Sequence, residues 1–100
     1  MTATAYSIEW RPMAREDLHA IVRYVAKDNP ARAKSFGKDL RNKTKALVQQ
    51  PKPGRAGRPG LPEYVRELVV HPNYIVFYRV LAEAGIVQIL RMKHAAQQIP

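Results

Sequence analysis

Six basic or titratable side chains in the second half of the chain are the main candidates for chemistry. They lie within and between three apolar runs: Arg66, His71, Arg79, Arg91, Lys93 and His94. Arginines on a sheet face can hold phosphates through paired hydrogen bonds and can stabilise the extra charge of a pentacovalent phosphate in RNA cleavage. A nearby histidine or lysine can move protons. The set indicates nucleic-acid contact, although a solvated basic strand face would show the same alternation.

Aromatic residues are interleaved with these cations. Tyr64, Tyr74 and Tyr78 are therefore candidates for stacking on bases.

Other kinds of catalytic site find little support in the residue pattern. His19, His71 and His94 are scattered and lack the helical spacing of a zinc motif. Neither serine lies in a nucleophile-elbow context, and the glycines between residues 54 and 60 lie between prolines without the strand-to-helix context of a phosphate-binding loop. We therefore expect no metal and no cofactor.

The charge balance is strongly basic throughout the chain. It has 17 Lys plus Arg against 8 Asp plus Glu, a net charge of +9. Residues 1–50 hold 10 basic and 5 acidic residues, and residues 51–100 hold 7 and 3, so neither half alone accounts for the excess. Such a field favours phosphate-rich or acidic partners. A length of 100 residues predicts a single domain over residues 1–100.

Composition also indicates the cellular compartment. The chain has no cysteine, which excludes a disulfide framework and a thiol nucleophile. No apolar stretch approaches the ~20 residues needed to cross a bilayer. Residues 1–10 lack the basic flank and apolar stretch of a signal peptide. We expect a cytoplasmic protein with no membrane contact.

The first half of the chain predicts one strand and two helices. Residues 5–10 alternate as a half-buried strand, and Pro12 can begin a helix whose apolar positions recur at helical period. Asn29 and Pro30 end that helix and begin a second, which stops near Pro51. The short break predicts a helical hairpin with two apolar stripes that must be covered.

The second half predicts a loop and three strands. Residues 51–62 hold four prolines and three glycines, which indicates a loop, and Lys52, Arg55 and Arg58 make it basic. Residues 64–70, 74–81 and 86–92 are rich in Val, Ile, Tyr and Phe, with connections short enough for antiparallel hairpins.

These elements predict an α+β fold of order β-α-α-β-β-β. The small antiparallel sheet has an N-terminal helical hairpin packed on one face and leaves the opposite face as the working surface. By strand alternation, Arg91 and Lys93 share one face while Leu90, Met92 and His94 share the other.

This pattern resembles the RelE/ParE superfamily of small bacterial toxins. The resemblance rests on the element order, on the hairpin NYIVFYRV at residues 73–80 and on ILRMKH at residues 89–94, and more weakly on REDL at residues 15–18. It implies a toxin of a type II toxin–antitoxin module, which arrests growth and forms a hetero-oligomer with a cognate antitoxin.

Two targets follow from the two branches of the superfamily. RelE-like members cleave mRNA on the ribosome without a metal, which would assign catalytic roles to the following residues: Arg66, Arg79, Arg91, Lys93 and His94. ParE-like members inhibit DNA gyrase. After His94 the chain continues AAQQIP without the usual RelE-like tyrosine, and VFYRV also resembles ParE-like chains, so the ParE-like reading is favoured. In either case, the residues expected to bind the target or the antitoxin are Lys52, Arg55, Arg58, Arg66, His71, Tyr74, Arg91 and Lys93.

Overall fold

A computed structural model describes residues 6–48, 55–56 and 60–95 of the chain. The elements are β1 (Ser7–Trp10), α1 (Pro12–Asp28), α2 (Pro30–Lys45) with a short 3-10 turn (Ala46–Val48), β2 (Arg55–Ala56), β3 (Arg66–His71), β4 (Tyr74–Leu81) and β5 (Ile86–His94). The predicted α+β fold and the order of its main elements are confirmed. The two-residue β2 is an addition within the predicted loop. Neither long helix is apolar enough over a sufficient length to cross a membrane.

The helical hairpin depends on Asn29 and the prolines beside the helix starts. The backbone N–H of Asn29 donates to Val25 O at 2.9 Å, which closes α1, and its Oδ1 accepts from Arg32 N at 3.0 Å, which caps α2. Pro30 occupies the first helical position of α2, where its missing N–H costs nothing. One residue therefore ends one helix and starts the next.

The sheet is mixed, with strand order β1-β5-β4-β3-β2. The neighbouring pairs β2–β3, β3–β4 and β4–β5 are antiparallel, but β1 runs parallel to β5. The expectation of a purely antiparallel sheet was therefore wrong for β1. Parallel partners are joined by long crossovers, so no local turn signal reveals their pairing.

The main core lies between the helical hairpin and one face of the sheet. Leu18 and Leu40 of the helices are 2% and 1% exposed, and Val76, Tyr78 and Ile89 of the strands are fully buried against them. Tyr78 was a candidate for base stacking, but its complete burial within this core excludes that role. Each helix buries its apolar stripe against the sheet, as the helical spacing of its apolar residues predicts.

The opposite face of the sheet is partly covered. Ile75 and Phe77 alternate with the core residues of β4, and they form a second cluster with Val65 that Leu61 and Leu90 extend. Ile75 and Phe77 are each only 4% exposed. The expectation of an uncovered working face was therefore wrong here, because the segment before β3 folds back over it.

A β-bulge changes the alternation of β5. Phe77 pairs with Arg91 and Tyr78 pairs with Ile89, so Leu90 is the extra residue. As a result Leu90 joins the second cluster while Met92 is buried in the main core. The predicted shared face for Leu90 and Met92 was wrong, since a bulge reverses the two-residue period.

Candidate functional site

An open cleft of about 770 Å³ lies where the helical hairpin meets the ends of β3, β4 and β5. Aromatic rings form one wall: Tyr74 contacts His94 edge-on with ring centres 5.2 Å apart, and Phe36 contacts His71 in the same way at 5.0 Å. Tyr24 borders the cleft from α1 and is 66% exposed. We call this site the aromatic cleft; its aromatic residues are Tyr24, Phe36, His71, Tyr74 and His94.

The β3–β4 turn holds one end of the aromatic cleft in place. His71 pairs with Tyr74 across the turn, and the Asn73 N–H donates to His71 Nδ1 at 3.1 Å. The Ala95 N–H donates to Asn73 O at 2.7 Å, which ties the end of β5 to the same turn. Side chains from β3, β4 and β5 are therefore preorganised before any partner arrives.

Two cations among the described residues line the aromatic cleft. Arg32 stacks on the Phe36 ring at 5.2 Å, and Lys93 of β5 is the second. Asp17 is the one carboxylate among the lining residues, and it is occupied by other partners. The surface offers apolar rings for burial and positive charge at the rim, which suits an acidic segment that carries apolar side chains.

Tyr74, in the aromatic cleft, makes the stability of the protein depend on pH. Burial, and to a lesser extent the neighbouring Tyr24, raises the pKa of the Tyr74 phenol above its ordinary value of 10.0. The stability linked to this group is present below pH 10 and is lost as the pH rises through the raised pKa. Raising the pH from about 9 to about 11 should therefore lower the free energy of unfolding of the native protein more than that of Tyr74→Phe, which has no phenol to ionise. Urea unfolding at the two pH values measures both changes. Tyr64→Phe, at an exposed tyrosine, is the control; an unchanged pH dependence in Tyr74→Phe would contradict the assignment.

Asp17 fastens α1 to β5 just beyond the last β1–β5 pair. Its carboxylate accepts from Arg91 Nε at 2.7 Å, from Arg91 Nη2 at 3.1 Å and from the Met92 backbone N–H at 3.0 Å. Lys93 Nζ lies 3.9 Å away. These bonds, chiefly the hydrogen bond to Asp17, raise the pKa of Arg91. Asp17 thus accepts a hydrogen bond from the Met92 N–H, in a part of β5 that β1 does not pair with, and it compensates the charge of Arg91.

A separate polar row crosses the sheet at Arg79. Arg79 Nε donates to Gln88 Oε1 at 2.6 Å, Gln88 in turn donates to Glu9, and the Arg79 guanidinium stacks on Tyr64 at 5.4 Å. Tyr64 is 58% exposed, so it retains the accessibility that base stacking needs. This row occupies the end of the sheet away from the aromatic cleft.

The five residues of the candidate nuclease set do not converge. Arg79 lies five residues along β4 from Tyr74, the partner of His94, which is about 17 Å at 3.3 Å per residue. Arg66 pairs with Tyr78, about 13 Å from Tyr74 by the same measure. Lys93 and His94 border the aromatic cleft, but Arg91 is bound to Asp17. Among the expected binding residues, His71, Tyr74 and Lys93 come together in the cleft, whereas Lys52, Arg58 and the Arg55 side chain lie outside the described residues.

Sequence reasoning missed the helical side of the site. Asp17, Tyr24, Arg32 and Phe36 all line the aromatic cleft, yet none was predicted as a site residue. A signal existed for α1: Asp17, Ile21 and Tyr24 are spaced four and three residues apart, which puts an acid and an exposed aromatic on the same helix face as an apolar residue. Among the residues with described positions, no group of three metal-ligating side chains is found.

The fold is that of a type II toxin of the RelE/ParE superfamily. Residues 8–99 match the sequence profile of the ParE toxin of the type II toxin–antitoxin system parDE, and the chain belongs to this family.

Solved structures agree with the assignment. The chromosomal ParDE toxin–antitoxin system from P. aeruginosa contains a chain that is 29% identical, with 92% of this chain and 98% of that chain covered and a TM-score of 0.76. The RelBE2 toxin–antitoxin complex from Mycobacterium tuberculosis shares the fold at 24% identity, covering 90% and 98%, with a TM-score of 0.63. The E. coli DinJ–YafQ complex shares it at 16% identity, covering 92% and 94%, with a TM-score of 0.62. A search of curated protein sequences found no significant match.

Proposed function

We propose that this toxin arrests bacterial growth by binding and inhibiting DNA gyrase. The membership in the ParE family and the likeness to the P. aeruginosa ParDE chain support this choice of target. The observation that carries it is the dispersal of the candidate nuclease residues. Arg79 is engaged with Gln88 at the end of the sheet away from His94 and Arg91 is paired with Asp17, so the two arginines do not converge beside His94. An inhibitor that acts by binding needs no such convergence.

A ribosome-dependent mRNA endoribonuclease is the second candidate. It is supported by one observation: His71, Lys93 and His94 border the same cleft, where they could hold a phosphate and move protons. Under this alternative, Arg66, Arg79 and Arg91 would have to act from outside that cleft.

Arg79→Gln separates the two functions. We expect purified toxin to inhibit supercoiling of relaxed plasmid by gyrase, and Arg79→Gln to inhibit it equally well. If Arg79 stabilised a transition state in RNA cleavage, its loss would lower cleavage on the order of 10²- to 10³-fold. The measurements are a supercoiling assay and primer extension on mRNA bound to translating ribosomes. Codon-positioned cuts that Arg79→Gln abolishes, with no effect of excess toxin on gyrase, would overturn the gyrase proposal.

A cognate antitoxin is the resident partner in this proposal, and the aromatic cleft is its binding site. Exposed Tyr24 offers an apolar anchor. Arg32 and Lys93 carry positive charge at the cleft. An acidic partner would compete there with Asp39 for Arg32 and with Asp17 for Lys93. Buried aromatic anchors with a charged rim are typical of tight peptide recognition. The two proteins form a hetero-oligomer, and both candidate targets imply action in the cytoplasm.

A further inference from the structure

The helical hairpin carries a second charged site, which shares none of its described lining residues with the aromatic cleft. A groove of about 610 Å³ runs between α1 and α2, and its rim holds four exposed cations: Arg23, Lys34, Lys38 and Arg41. No acidic side chain lines it. Within the described part of the chain, none of the four cations forms an ion pair. We call this surface the basic hairpin face.

The cations of α2 form a stripe at helical spacing. Lys34, Lys38 and Arg41 are four and three residues apart, so they share one side of the helix. The one carboxylate of α2, Asp39, bonds to Arg32 at 3.2 Å and borders a different cavity. Like charges at these spacings destabilise a helix. Neighbouring acids do not offset that cost, but a bound polyanion would.

The floor of the groove argues against a peptide partner. Leu18 and Ala33 are 2% and 3% exposed, so they offer a partner little surface. Of the described apolar lining, only Val22 and Gly37 are half-buried. A Cβ on Gly37 would lie 2.9 Å from Val22 Cγ2, which shows how closely the two helices approach. An amphipathic helix needs open apolar pockets for its anchors. This groove presents four cations around a floor in which Leu18 and Ala33 are already buried.

We propose that the basic hairpin face binds the phosphate backbone of duplex DNA. The rise of an α-helix separates Lys34 from Arg41 by about 10 Å, and one DNA strand presents about three phosphates over that length. Arg23 extends the same surface onto α1. Contact with phosphates alone carries no sequence information, so binding is independent of sequence. The inference rests on the proposed function in one respect, the origin of the DNA. Gyrase acts on duplex DNA, so a toxin that inhibits gyrase would contact the enzyme and its DNA together.

The test measures DNA binding without gyrase, so its failure is distinct from a failure of gyrase inhibition. Full-length toxin separated from its antitoxin is titrated against a fluorescent DNA duplex by anisotropy over a range of salt. Four phosphate contacts predict that log K falls with log salt with a slope of about −3 to −4. In Lys38→Gln/Arg41→Gln the slope becomes shallower by about two and affinity at low salt falls about tenfold or more. This variant should unfold at no lower urea concentration than the native protein, because it removes like-charge repulsion.

Arg11→Gln/Lys43→Gln is the matched control. It removes the same net charge from positions outside the groove, so it should retain most of the native affinity and slope. Any of three results with nucleic acid would overturn the proposal. They are no salt-dependent binding by the native toxin, equal losses in the two variants, and tighter binding to a double-stranded RNA of the same sequence. Weaker binding of an acidic antitoxin peptide in Lys38→Gln/Arg41→Gln, with DNA binding intact, would likewise overturn it and assign the face to a peptide.

Discussion

Asp17→Ala is expected to lower the free energy of unfolding by about 3 kcal/mol. The substitution removes both hydrogen bonds to Arg91 and the bond from the Met92 N–H. The carboxylate is only 15% exposed, so water cannot replace these bonds fully. The substitution therefore leaves the Met92 N–H at the edge of β5 without its acceptor and the Arg91 charge without its partner. Urea unfolding followed by circular dichroism gives the difference.

Glu16→Ala is the matched control for that measurement. Glu16 precedes Asp17 on the same helix and is exposed, so its loss should change stability by less than about 0.5 kcal/mol. A double-mutant cycle with Arg91→Met separates the pair from the strand-edge bond, because Met92 still donates to Asp17 when Arg91 is absent. Equal stabilities for Asp17→Ala and Glu16→Ala would show that α1 is fastened to the sheet by apolar packing alone.

Local signals predicted the helical hairpin and two of the strand turns. Pro12, Asn29 and Pro30 act within one or two residues of the boundaries that they set, so the structure follows them closely. The turn between β3 and β4 lies within the predicted connection at residues 71–73, with His71 included in β3. In these places the information needed lies within one turn of the chain.

The site depends on contacts between distant parts of the chain. From its neighbours in sequence, Asp17 would be assigned as a solvated helix residue. Its partner Arg91 of β5 is 74 residues away in the chain, so only the folded structure shows the contact. The bulge at Leu90 is set by packing between β4 and β5, and no residue near it signals the change of register. Three arginines were correctly located on strands: Arg66, Arg79 and Arg91. Three other residues lay just outside the predicted strands and belong to β3 or β5: His71, Lys93 and His94. The separation of these side chains into different environments required the assembled sheet.

Tyr24→Ala should weaken antitoxin binding by about 30-fold or more, because buried aromatic anchors at interfaces commonly contribute at least 2 kcal/mol. Tyr24 is 66% exposed in the unbound toxin and lies beside Tyr74 and Phe36, where a partner would cover it. Its exposure also means that the substitution should leave the fold intact. Calorimetric titration of antitoxin into refolded toxin gives the affinity.

The control for this prediction is a second exposed tyrosine. Tyr64 is 58% exposed but stacks on Arg79 away from the aromatic cleft, so Tyr64→Ala should leave antitoxin affinity unchanged. Duplex DNA binding should be the same in both variants, since neither tyrosine borders the basic hairpin face. Tyr24→Ala would then yield a toxin that still reaches its target and escapes neutralisation, whereas Lys38→Gln/Arg41→Gln would be neutralised normally. If Tyr24→Ala binds antitoxin as tightly as Tyr64→Ala does, the antitoxin must occupy a surface other than the aromatic cleft.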